Sequence, residues 1–133
     1  MYHMSEQMAE VAASWWTNKV DGYHIHDNGD ISQASQLACG IADLFMKPIT
    51  SETAEKFKQR LKKKLLDIDM DVDYYKCWLS VDYSPCRLLR ETALEVGIDE
   101  SNFPFKIDMH IEKKKIVVIN GYGMPPETIY TES

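Results

Sequence analysis

The chain has 133 residues and a formal net charge of −6, from 21 acidic and 15 basic residues. Its apolar share of 44% and charged share of 27% are ordinary for a globular protein, which argues against disordered and fibrous classes. No apolar run approaches the roughly 20 residues that cross a bilayer, and the first residues lack the features of a secretory signal. Three cysteines without paired spacing disfavour a disulfide framework. We therefore expect a single cytoplasmic domain with no membrane contact.

Three segments of the first half carry apolar residues at three- and four-residue spacing, the period of a helix with one buried face. The first helix is predicted from about Met4 to Val20. The second is predicted to start after Asp30, which can cap its free N–H groups, and to end at Pro48. The third is predicted to open near 50–51. Its apolar stripe consists of Ala54, Phe57, Leu61, Leu65 and Ile68.

The second half changes period. Aromatic and β-branched residues from Tyr74 to Tyr83 predict a strand. Ser84-Pro85 predicts the start of a fourth helix, since serine can cap a helix and proline suits its first position; Gly97 is expected to end it. Residues 105–111 alternate apolar with polar side chains, which predicts a half-buried strand. A charged turn is predicted next, followed by a partner strand over 116–119.

These elements predict an α+β domain over residues 1–133, with three N-terminal helices followed by a strand, a helix and a hairpin. The sheet is expected to be small and antiparallel, with about three strands. Residues 121–133 are expected to be a C-terminal loop or tail. Within it Tyr122 lies between two glycines, and Met124 and two prolines follow, which favours an ordered loop with Tyr122 resting on apolar surface. Tyr122 and Met124 are candidate binding residues.

A metal site is one interpretation of the segment 24–30, which holds two of the four histidines. In an extended chain His24 and His26 point to the same side, and Asp27 could add an oxygen ligand. A full site needs three or four ligands, and the other two histidines are distant in sequence. A polar turn built on Asn28-Gly29 explains the segment more simply. We therefore predict no cofactor, and keep His24, His26 and Asp27 as an alternative.

The third helix is strongly basic. Six of the fifteen basic residues lie within nine positions: Lys56, Lys58, Arg60, Lys62, Lys63 and Lys64. Such a helix could follow a phosphate backbone or hold an acidic partner protein, and Lys62 and Lys63 are its candidate binding residues. The lysines spread over the whole polar arc, however, and the chain is acidic overall. A solvated helix face is the simpler interpretation, so nucleic-acid binding is disfavoured.

A thiol nucleophile is a further alternative. Cys86 is expected in the first turn of the fourth helix, where the helix dipole stabilises a thiolate, and His110 could serve as its base. No Cys-His signature supports this role, and free cysteines are commonly buried as small apolar residues. No catalytic residue is therefore assigned.

Trp15 and Trp16 are adjacent, so on a helix they point about 100° apart and cannot both face the core. One is expected in the core. The other is expected to be partly exposed, where tryptophan is a frequent binding anchor, and Trp16 is the candidate.

Five motifs are spread over most of the chain. They are Ala13-Ser14-Trp15-Trp16, His26-Asp27-Asn28-Gly29-Asp30, Asp82-Tyr83-Ser84-Pro85, Phe103-Pro104-Phe105-Lys106 and Gly121-Tyr122-Gly123-Met124-Pro125. In combination they resemble small, poorly characterised proteins carried by phages and integrated mobile elements of Gram-positive bacteria. The resemblance implies no catalytic residues. It does imply a context, since small acidic proteins of such elements often act by binding, including inhibition of host defence systems.

The leading hypothesis is therefore a non-enzymatic cytoplasmic interaction module, from a phage or mobile element, that binds or inhibits a host protein. A phage protein is the other possible partner. The first alternative is a small metal-dependent or thiol enzyme that uses His24, His26 and Asp27, or Cys86. The second alternative is nucleic-acid binding through the basic helix 56–64.

Overall fold

The computed structural model describes residues 2–21, 49–104, 106–121 and 123–132. Within these ranges three helices pack on a four-stranded antiparallel sheet, which confirms the α+β class. The helices are α1 (Glu6–Val20), α2 (Ser51–Leu66) and α3 (Arg87–Val96); the strands are β1 (Trp78–Val81), β2 (Ile107–Ile111), β3 (Lys115–Asn120) and β4 (Glu127–Thr131). The helix predicted between Asp30 and Pro48 lies outside the described residues.

Both long helices begin at the capping side chains that their sequences offer. Ser5 Oγ accepts a hydrogen bond from the Met8 N–H at 3.1 Å, so α1 begins two residues after the predicted Met4. Thr50 Oγ1 accepts from the Thr53 N–H at 3.0 Å and starts α2 where it was predicted. Each cap satisfies a backbone donor that a helix start leaves without a partner. The predicted apolar stripe of α2, including Phe57 and Leu61, is buried, as expected for its core face.

The sheet has the order β1-β2-β3-β4, with antiparallel neighbours throughout. Leu79, Met109 and Val118 align across the first three strands, and all are buried. They belong to one core cluster with the apolar faces of α1 and α2. The alternation predicted for β2 is confirmed, since Ile107, Met109 and Ile111 are buried between half-buried neighbours.

The strand predicted over 74–83 is shorter than expected. Residues Tyr74–Cys77 form a 3₁₀ turn, and only Trp78–Val81 pair with β2. The Lys76 N–H donates to the Asp73 carbonyl at 2.9 Å. This N–H is therefore not available for pairing with a neighbouring strand. Strand propensity alone does not extend a strand beyond the residues that its neighbour pairs with.

The fourth predicted helix, α3, begins later than Ser84-Pro85 predicted. Its N-cap is Cys86, whose N–H donates to the Ser80 carbonyl at 2.9 Å, while Pro85 bridges to Val81. Ser84 and Pro85 therefore belong to the turn after β1. The predicted end is confirmed, because Gly97 adopts the left-handed conformation with φ 79°.

The sheet also has one strand more than the predicted three. Residues 127–131, expected to be loop or tail, form β4 beside β3, with a register shift between Ile116 and Val117. The two prolines before Glu127 indicated a loop. β4 forms because it pairs with β3, and the sequence pattern of residues 127–131 gives no information about that pairing.

We expect Ile129→Ala to lower the free energy of unfolding by about 1–2 kcal/mol, because Ile129 is partly buried against the core and a fully buried isoleucine would cost more. Thr128→Ala is the matched control on the same strand. It is exposed and should change stability by less than about 0.5 kcal/mol. Urea unfolding measures both; equal effects would mean that β4 does not pack on the core.

Candidate functional site

The histidine segment with His24, His26 and Asp27, and also Tyr122, lies outside the described residues. Among the residues that are described, no group of three or more His, Cys, Asp or Glu side chains could hold a metal ion. The metal interpretation of residues 24–27 stays an alternative to the predicted polar turn. Met124 is exposed, with 55% of its surface accessible.

Trp16 is not a surface anchor. Its surface is 0% exposed, and its ring lies 6.3 Å from that of Phe103, which also contacts Phe57 at 6.1 Å. These aromatic rings fill the space between α1 and α2. Trp15 is the partly buried member of the pair, and the Lys19 ammonium lies over its ring at 5.0 Å. The two tryptophans do point in different directions, as expected, but the candidate was the wrong one.

The basic residues of α2 are largely paired with acids on neighbouring helices. Lys62 lies 3.2 Å from both Glu6 and Glu10 of α1, and Lys58 lies 3.4 Å from Glu10. The paired positions run in opposite directions along the two helices, so α1 and α2 are antiparallel. Only 18% of the Lys62 side chain is exposed. The interpretation of this face as simply solvated is thus wrong for Lys58 and Lys62.

On another side of α2, Arg60 and Lys64 both pair with Glu95 of α3, Arg60 at 3.0 Å. Lys56 pairs with Glu52 within α2. Lys63 is exposed, and no ion pair joins it to a described residue. Cations that each face a carboxylate attract phosphate weakly, which further disfavours a nucleic-acid site on this helix.

Cys86 is partly buried and lies at the start of α3, close to the predicted position. The described residues form no hydrogen bond between Cys86 and His110, so the nucleophile and base pair is not assembled. Cys77 is a core residue, and burial raises the pKa of its thiol.

Exposed aromatic side chains concentrate in one short segment. Five of the seven large apolar side chains that are exposed in the described residues lie between 72 and 83. They are Val72, Tyr74, Tyr75, Trp78 and Tyr83. The 3₁₀ turn directs Tyr74 and Tyr75 to solvent while Cys77 enters the core, and the alternation of β1 then directs Trp78 outward and Leu79 inward.

Trp78 is held in place although 55% of it is exposed. It pairs across the strands with His110, and the two rings stack with centroids 4.9 Å apart and planes 25° apart. The indole Nε1–H donates to Asp108 Oδ1 at 3.2 Å. His110 and Asp108 are alternate residues of β2, so both lie on the outer sheet face. Stacking and hydrogen bonding together set the orientation of the indole ring.

Lys106 extends this surface towards Tyr83. Its ammonium forms an ion pair with Asp82 and lies 4.4 Å from the centre of the Tyr83 ring. Its backbone has a left-handed φ of 62°, unusual for a residue other than glycine, and its carbonyl accepts from the Gly121 N–H at 3.1 Å. We call the surface formed by Tyr74, Tyr75, Trp78, Tyr83, Lys106, Asp108 and His110 the Trp78 surface.

Two cavities flank the Trp78 indole. One, of about 360 Å³, is the more polar of the two and includes Ser80, Asp82, Lys106 and Asp108 in its lining. The other, of about 580 Å³, is more apolar and includes Tyr75, Cys86 and Leu88. Trp78 lines both, so a ligand that crosses the indole would contact both cavities.

No family model matches the chain, and a search of curated proteins finds no match. None of the helices in the described ranges has the length and apolar character to span a membrane.

Sequence reasoning missed Trp78, Asp108 and the surrounding tyrosines as site residues. The aromatic and β-branched composition of this segment predicted only a strand. The usable signal was the alternation along the strand. Leu79 and Val81 are apolar residues expected on the inner face, so Trp78, next to Leu79, is expected on the outer face.

We expect Lys62→Gln to raise the pKa of Glu10, because the hydrogen bond from Lys62, followed by that from Lys58, holds that pKa below its usual value. A carboxyl with a lowered folded-state pKa contributes stability above its unfolded-state pKa, and this contribution is lost as the pH falls through the folded-state value. A ¹³C NMR titration of the Glu10 carboxyl measures the shift. Lys63→Gln, which alters an exposed lysine of the same helix, is the control and should leave the titration unchanged.

Proposed function

We propose that the protein is a non-enzymatic protein-interaction module and that the Trp78 surface is where its partner binds. The observation that carries the proposal is the concentration of exposed aromatic side chains around one ordered tryptophan. The centres of protein interfaces are enriched in tyrosine and tryptophan and depleted in charge. A surface of this composition is unusual for a region that meets only water.

The order of Trp78 adds to this argument. A side chain that is mobile in the free protein loses conformational entropy when a partner immobilises it, at a cost of about 0.5–1.5 kcal/mol. Trp78 is already oriented by His110 and Asp108, so little of that cost remains. An oriented, half-exposed indole with a cavity on either side has the features of an interface hot spot.

The identity of the partner is suggested by the resemblance of the sequence to proteins of phages and mobile elements. The resemblance implies that small acidic proteins of such elements often act by binding, including inhibition of host defence systems. We therefore propose a host protein as the partner, with inhibition of that protein as the consequence. Nothing in this mechanism requires catalysis or a cofactor.

We expect Trp78→Ala to weaken partner binding by at least about tenfold, since loss of a central tryptophan typically costs 2 kcal/mol or more. Proteins captured from an extract of the native host by the wild type would be compared with those captured by the variant. Any protein lost with Trp78→Ala would be purified and its dissociation constant measured. Leu94→Ala is the control, because Leu94 is 70% exposed on α3, outside the Trp78 surface.

A photoreactive amino acid placed at Tyr75 should also cross-link to that partner, whereas the same group at Leu94 should not. Retained binding by Trp78→Ala, or cross-linking from position 94 and not from 75, would move the interface away from this surface and refute the proposal.

A further inference from the structure

We propose that the polar cavity beside Trp78 binds an arginine side chain of the partner. This inference rests on the proposed function and adds the chemistry of what is recognised. The cavity, of about 360 Å³, is lined by an indole and by the carboxylates of Asp82 and Asp108. An aromatic face next to a carboxylate is the arrangement that a guanidinium group prefers, because it can stack on the ring and donate to the oxygens at once.

Asp108 supplies the charge. A carboxylate has about four acceptor sites, and the Trp78 Nε1–H uses one of them on Oδ1. No Lys, Arg or His of the described residues forms an ion pair with Asp108. Its carboxylate is half-buried on the outer sheet face, between Ser80 and Ile119 of the adjacent strands. Asp108 therefore retains acceptor capacity and negative charge beside the cavity.

Lys106 does not cancel this charge, because it already pairs with Asp82 and lies over the Tyr83 ring. The charges of Lys106 and Asp82 cancel each other. The remaining charged residue of the cavity lining is Asp108, so the lining has a formal net charge of −1. The chain as a whole carries −6. Both charges favour a cationic ligand group over an anionic one.

Trp78 supplies the stacking surface. His110 covers one face of the indole, so the exposed half of the side chain includes the opposite face. On the rim of the cavity, Gly121 and Gly123 have positive φ angles of 120° and 75°, a conformation that other residues rarely adopt. Both glycines line this cavity, and a side chain at either position would strain the backbone.

The test uses the full chain and the peptide acetyl-Gly-Arg-Gly-amide as the probe. Binding would be followed by the NMR resonance of the Trp78 indole N–H, assigned by its loss in Trp78→Phe. We expect saturable shifts with a dissociation constant on the order of millimolar, as befits one side chain. The same peptide with citrulline, which is close to arginine in shape but neutral, should bind at least about fivefold more weakly.

Asp108→Asn is the informative variant, because asparagine keeps one oxygen acceptor for the indole N–H while the negative charge is lost and the second oxygen becomes an NH2 donor. The variant should bind the arginine peptide at least about fivefold more weakly than the wild type. The Trp78 indole resonance of the free variant should stay near its wild-type position. Glu52→Gln removes one exposed charge from α2 and is the matched control; its affinity should remain within about twofold of the wild type.

Equal binding of the citrulline peptide, or unchanged affinity in Asp108→Asn, would overturn the inference. A lysine peptide that bound as tightly as the arginine peptide would overturn the preference for a guanidinium. None of these peptide results would refute the proposed function, because that function is tested by the effect of Trp78→Ala on partner binding. Arginine binding without an effect of Trp78→Ala on the partner would refute the proposed function instead.

Discussion

The structure depends on the burial of one face of the sheet. Leu79, Met109 and Val118 align across three strands and pack into the same core as the apolar faces of α1 and α2. Because successive side chains of a strand point to opposite faces, burial of these residues obliges Trp78 and Asp108 to face outward. A slip of one residue in register would expose the core and bury a carboxylate, which is costly in free energy. The constraint that stabilises the fold therefore also creates the outer surface on which the candidate site lies.

Charge acts differently in the two halves of the protein. In the helical layer, lysines of α2 pair with Glu6 and Glu10 of α1, so a markedly basic sequence becomes an inter-helix contact. Pairs that are still partly open to water add little stability, but they favour one arrangement of the two helices over others. On the sheet, Lys106 is paired with Asp82, whereas among the described residues Asp108 accepts a neutral donor from Trp78 and forms no ion pair. The difference matters for function, because a charge without a counter-ion is the one that can recognise a partner.

Local patterns in the sequence were sufficient for the elements whose faces repeat regularly. The start of α2 near residue 50, the buried stripe of α2 and the alternation of β2 all follow from neighbouring residues, and each was predicted. The Ser5 cap of α1 was not predicted. Gly97 was likewise predictable, since a helix end commonly needs a residue that adopts positive φ. Periodicity reports that a face is buried, and that information is local.

What periodicity cannot report is the partner that buries the face. Trp16 and not Trp15 enters the core, where it packs near Phe103, a residue far away in sequence. The strand β4 exists because β3 offers it an edge, and β1 stops where its pairing with β2 stops. The sequence by itself determined the α+β class and the apolar faces of its helices and strands. Only the tertiary structure decided which aromatic residues remained exposed and which lysines were paired, because both depend on contacts between segments distant along the chain.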